Sequence, residues 1–138
     1  RCHFTVENAG ASLRLTAEGF AAHAAHPSTG INAISGLMSA LSELSPENEL
    51  ARIATFYMEH IGFDLTGKGL GIDLTDEISG RLSFNVGKVE VCDHKVIFSI
   101  DNRVPLTPVG LPYAGIAAGF CFNSRVPTVD MFPSHSTT

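Results

Sequence analysis

The sequence has no tryptophan, only three cysteines, few positive charges and no long apolar run. Each scarcity excludes something. Nine Lys and Arg against fourteen Asp and Glu give a formal charge of -5, and no basic patch interrupts that balance. This argues against a nucleic-acid or anionic-membrane binder, since both recruit clustered cations. Cys2, Cys92 and Cys121 are odd in number and widely spaced, without the even count of a disulfide framework or a Cys-x-x-Cys pair. A reducing, cytoplasmic setting is the simpler expectation. No apolar run approaches the roughly 18 residues of a membrane span, and no signal-peptide pattern opens the chain. It begins on Arg1 and runs directly into "CHFTVE", which reads as a strand already under way and suggests a piece of something longer.

What is present suits one folded domain. A length of 138 residues, 44% of them hydrophobic and 17% charged, is enough to bury a core without staples. Eight of the fourteen acids lie between Glu43 and Glu77, against only Arg52 and Lys68, so that stretch is expected to be a solvated acidic face without a function of its own.

Alternation in "CHFTVENAGASLRLTAEG" predicts a β-hairpin turning at Asn8-Ala9-Gly10, with Leu13, Leu15 and Ala17 on one face. Ile31, Ile34, Leu37, Met38, Leu41 and Leu44 then recur at helical spacing, with Gly36 a slight weakness. Ser45-Pro46-Glu47 predicts a second helix capped by Ser45, its apolar face supplied by Leu50, Ile53, Ala54, Tyr57 and Ile61. From Gly62 to Gly80 the glycines predict a long loop with room for a short strand. Leu82, Phe84 and Val86 mark a strand whose phase slips at Gly87-Lys88, as a bulge would cause. After a tight turn from Cys92 to Lys95, Val96, Phe98 and Ile100 form the core face of the next strand. A short helix in "YAGIAAGF" and a last strand around "RVPTVDMF" complete an α+β fold, an antiparallel sheet with helices on one face.

Two histidines stand out in "GFAAHAAHPSTGINAI". His23 and His26 in His-x-x-His spacing could ligate a metal from one helix face. However, Pro27 pushes His26 out of helical geometry, and His3, His60, His94 and His135 supply no matching further ligands. The plainer alternative is a pair of surface or hydrogen-bonded histidines. Arg103 could pair with Asp101 on the same strand face, and Asn85 could satisfy a turn.

Three motifs in order carry a resemblance beyond this. "GFAAHAAHPSTGINAISGL" resembles the His-Ala, Pro, Gly-Ile-Asn-Ala segment of zinc metallopeptidases of the aminoacylase, desuccinylase and dipeptidase family. "GKGLGIDLTDEISGRLSFNVGKVE" is similar to a stretch of the peptidase V type of dipeptidase, and "FSIDNRVPLT" resembles the family's Asp-x-Arg-Tyr-Pro-x-Thr, with Val104 in place of Tyr. Together they span about residues 10 to 107. The resemblance is to the lid, or dimerisation, domain, which closes over substrate and is ferredoxin-like.

The resemblance implies a single lid domain over residues 1–138, lacking the catalytic zinc domain and inactive alone. His23 would stabilise the oxyanion of the tetrahedral intermediate, a contribution of about 3–4 kcal/mol for such a donor. Arg103 would grip the substrate carboxylate with its planar fork, and Asn85 would orient the same end. His26 has no counterpart and reads as a loop residue. Gly30 is expected to end the turn and Asn32 to cap or brace the helix. No cofactor is expected in this chain itself, and zinc would sit in the parent catalytic domain. The implied partners are that domain and a dipeptide or acyl-amino-acid substrate, with a homodimer as a further option. A competing reading makes the chain an oligomerisation module of a related acyl-amino-acid amidohydrolase.

Overall fold

A computed structural model describes residues 1–22, 26–92, 95–105, 118–123 and 129–133. The fold is α+β, built from small antiparallel sheets and two helices, and it divides into two units, Arg1–Phe63 and Asp64–Thr138.

In the first unit, β1 (His3–Asn8) pairs with β2 (Leu13–Glu18) from His3 opposite Glu18 to Asn8 opposite Leu13. The Ala9 amide donates to the Ser12 carbonyl at 2.9 Å, and Gly10 takes φ 78°, so the turn falls where Asn and Gly predict it. Leu15 and Ala17 are half-buried, whereas Phe4, Val6 and Leu13 stay exposed. Helix α1 (Ala33–Ser42) follows a short 3-10 turn at Pro27–Thr29. Asn32 caps α1, its side chain accepting from the Ile34 and Ser35 amides at 2.8 and 3.2 Å, the bracing role expected of it.

Two expectations for the helices shift. The fully buried side of α1 is Ser35, Gly36 and Met38, while Ile34, Leu37 and Leu41 are half-buried and Leu44 lies beyond the helix, exposed. Gly36 is a packing device here rather than a weakness: a Cβ at this position would run into the Cys2 thiol and approach the Phe4 ring. Helix α2 (Glu49–His60) starts three residues later than the Ser45-Pro46 signal suggests, because Asn48 is the cap and accepts from the Leu50 amide at 2.9 Å. Ser45 instead closes a preceding turn, its carbonyl accepting from the Asn48 amide. Ala51, Ile53, Ala54 and Tyr57 are buried along α2. Tyr57, fully buried, shares a 2.8 Å hydrogen bond with the buried Ser35 hydroxyl, which ties α2 to α1.

In the second unit, the glycine-rich stretch holds a 3-10 turn at Lys68–Leu70 and the two-residue strands β3 (Thr75–Asp76) and β4 (Gly80–Arg81). Next come β5 (Ser83–Cys92), β6 (Lys95–Arg103), β7 (Ala118–Asn123) and β8 (Val129–Pro133), which form an antiparallel sheet in sequence order. The β5–β6 register shifts between Val86 and Lys88, where the phase of the sequence slips, and Cys92 pairs with Lys95 as a tight turn requires. The end of the chain differs from expectation. The "YAGIAAGF" helix falls largely outside the described residues, and Ala118–Phe120 belong to β7, so two strands stand where one was expected. Gly119 and the Phe-Cys-Phe run after it suit a sheet better than a helix turn.

Eight acids lie between Glu43 and Glu77. They are divided between the two units, and Asp64, Asp73 and Asp76 build turns. Asp64 accepts from the Thr66 amide and hydroxyl at 2.9 and 2.7 Å. Against a desolvation that raises its pKa, these bonds and the nearby Gly69 and Lys68 amides hold it below the ordinary carboxylate value. Asp76 accepts from Ile78 and Ser79, and Asp73 takes a two-pronged contact from Arg81 that lowers its pKa.

Candidate functional site

The His-bearing loop is defined by its ends. Phe20 and Ile31 exchange backbone hydrogen bonds of 3.0 and 2.9 Å, closing the segment between them into a loop with a fixed base. Glycines flank that base because nothing larger fits. A Cβ on Gly19 would strike the Ile31 carbonyl oxygen and stand 2.9 Å from the Ala33 nitrogen, and one on Gly30 would stand 2.6 Å from the Ala22 Cβ. Beyond Pro27, the Thr29 amide and hydroxyl both donate to the His26 carbonyl, at 3.1 and 2.8 Å, so His26 organises the 3-10 turn through its backbone while the residue itself is exposed. His23 lies outside the described residues; what the structure supplies is the Phe20–Ile31 pairing on either side of it in sequence.

Asn85 and Arg103 are brought together by strand register. Asn85 sits on β5 opposite Asp101 of β6, and Ser83 sits opposite Arg103. Directly opposed residues of antiparallel strands share a face, so Ser83, Asn85, Asp101 and Arg103 occupy the side of the hairpin opposite to buried Leu82, Phe84, Val86, Phe98 and Ile100. Asn85 and Arg103 are diagonal neighbours there, about 7–8 Å apart by strand geometry. Asn85 is half-buried and Arg103 exposed. The alternative in which Asp101 neutralises Arg103 does not occur: among the described residues the ion pairs are His3–Glu18, Arg14–Glu7, Arg81–Asp73 and Lys88–Glu90. Among the described residues, therefore, Arg103 keeps its donor fork available for a planar anion.

A strap holds this hairpin in place. The Leu65 and Leu74 carbonyls accept from the Phe84 and Leu82 amides, each at 2.8 Å, so the long loop satisfies the outer edge of β5. Gly67 at φ 74° allows the loop to close over Ile72 and Phe84, since a Cβ there would stand 2.5 Å from Ile72 Cγ1. The sequence signals this strap only through its glycines, and the pairing partner is invisible without the fold. Among the described residues, no group of three or more His, Cys, Asp or Glu is arranged to hold a metal ion. Nor, among them, is any helix long and apolar enough to cross a membrane.

Compared with known families, residues 7–100 match the model of the peptidase dimerisation domain of the M20 peptidases. The chain belongs to this family. As a peptidase dimerisation domain, it is 37% identical over 82 residues to a Bacillus subtilis (strain 168) protein named "Putative dipeptidase YtjP". That alignment takes in 59% of this chain and 17% of the relative, so the chain corresponds to a small part of the relative's length. The family match contains the His-bearing loop and Asn85 and stops three residues before Arg103. The position of Arg103 beside Asn85 is thus a separate observation, made from strand register.

Proposed function

We propose that this dimerisation domain serves as the substrate-closing lid of a zinc-dependent dipeptidase, a single domain that works only with a separate catalytic domain. The observation that carries the reading is the shared face of Asn85 and Arg103 on a strapped, bulged hairpin, with the guanidinium free of ion pairs among the described residues. An arginine fork with an amide beside it suits the terminal carboxylate of a small peptide. His23 acts from the loop based on Phe20 and Ile31, donating to the oxygen on which negative charge develops as the peptide bond is attacked. The name of the Bacillus relative favours a dipeptide over an acyl-amino acid. Zinc is assigned to the catalytic domain on the resemblance to the M20 peptidases.

The test uses the full-length protein and a dipeptide substrate. H23A should lower kcat about 100- to 1000-fold with little change in KM, as loss of an oxyanion donor does. R103A should act chiefly on KM. Undiminished turnover by H23A refutes the catalytic assignment. A second reading, an oligomerisation module of an acyl-amino-acid amidohydrolase, is favoured by the exposed apolar side chains of Phe4, Val6 and Leu13 on β1–β2. Sedimentation separates the two: a lid of this type remains a monomer, whereas the module self-associates.

A further inference from the structure

The polar face of β5–β6 carries a second charge that the carboxylate-binding pair does not use. Asp101 stands directly opposite Asn85 and two residues before Arg103 on the same face. It is exposed, and among the described residues no ion pair or hydrogen bond engages its carboxylate. Its carboxylate lies over the glycine at the bulge. The register slips between Val86 and Lys88, and a Cβ on Gly87 would stand 2.6 Å from Asp101 Oδ2, so the carboxylate leans across the glycine beside Asn85. Further along this face Lys88 is held by Glu90 at 2.8 Å, and Lys95 lies at the far end of β6, six residues from Asp101.

We infer that Asp101 is a specificity-determining residue, favouring a cationic side chain and disfavouring an anionic one on the substrate residue that bears the free carboxylate. The inference rests on the proposed gripping of that carboxylate by Arg103 and Asn85. With the carboxylate held there, the side chain of the same residue emerges beside Asp101, close enough for a single charge to discriminate. Glycine at position 87 makes this possible, because any side chain there would put its Cβ against the Asp101 carboxylate.

The experiment measures kcat/KM of the full-length protein on Ala-Lys, Ala-Gln and Ala-Glu, which differ only in the charge of the terminal side chain. The expected order is Lys, Gln, Glu. D101N should compress the Lys-to-Glu ratio by about three- to tenfold, and D101K should invert the order, which a merely structural aspartate would not do. G87A, which displaces the carboxylate and keeps the charge, is the second variant and should narrow the ratio less. R103A separates the two layers of the argument by raising KM for all three substrates. If R103A does so and D101N leaves the ratio unchanged, the inference about Asp101 is overturned and the carboxylate reading stands. If R103A leaves every KM unchanged, or if the protein neither cleaves nor binds any of the three by calorimetry, the carboxylate reading fails and takes the inference with it.

Discussion

The hairpins β1–β2 and β5–β6 share one alternating pattern and have opposite fates. The first leaves Phe4, Val6 and Leu13 43%, 65% and 75% exposed, whereas the second buries Leu82, Phe84, Val86, Val96, Phe98 and Ile100 to 6% or less. Both are antiparallel pairs of alternating strands, so the alternation alone does not separate them. They also differ at their edges: β5 has a strap along its edge and β6 has β7 on its other side, while among the described residues β1 and β2 pair only with each other. The candidate carboxylate-binding residues sit on the covered hairpin, where a buried face fixes the side chains of the opposite one. The exposed hairpin leaves apolar side chains open to contact with another surface.

The contrast can be broken by mutation. Phe84→Ala should cost about 3–5 kcal/mol, while Val6→Ser on the other hairpin should fall within about 0.5 kcal/mol of the parent. Urea titration followed by far-UV circular dichroism is the measurement, since the chain has no tryptophan to report fluorescence. Equal costs would mean that the two hairpins are equally covered. A smaller effect is expected from Gly19→Ala, about 1–3 kcal/mol, because the new Cβ meets backbone at Ile31 and Ala33 that has little room to retreat. Hydrogen exchange should show the Phe20 and Ile31 amides opening while β5 and β6 stay protected.

Smaller again is Tyr57→Phe, about 1–2 kcal/mol, since it leaves the buried Ser35 hydroxyl without its partner. Burial raises the Tyr57 pKa, against a smaller lowering by the Ser35 hydrogen bond. The unfolded chain therefore releases the phenol proton first as pH climbs past about 10, and it binds fewer protons than the folded state in that window. Stability should be fully present below that pH and decline above it. In Tyr57→Phe this part of the decline should disappear, which a pair of alkaline denaturation curves would reveal.

Much of the candidate site was legible in particular residues. Asn32 as a cap, Gly87-Lys88 as a bulge and the alternation through Phe84 and Phe98 are local effects of a side chain on its own backbone, and they appear where the residues predict them. Gly36 and the cap of α2 were misread for the same reason in reverse. Whether a glycine weakens a helix or admits Cys2 depends on what approaches it, and whether Ser45 or Asn48 caps depends on where the preceding turn closes. His23 was singled out from its family motif, and its geometry lies outside the described residues.

By itself the sequence determined which residues share a strand face, where the strands bend and which family the motifs resemble, because these follow from backbone periodicity and side-chain type. Only the tertiary structure decided that Arg103 keeps its charge free of Asp101, that the Gly62–Gly80 loop straps β5, and that one hairpin is covered while the other is not. Those outcomes depend on which groups meet across long stretches of chain, and hydrophobic burial, being non-directional, leaves that choice to packing as a whole.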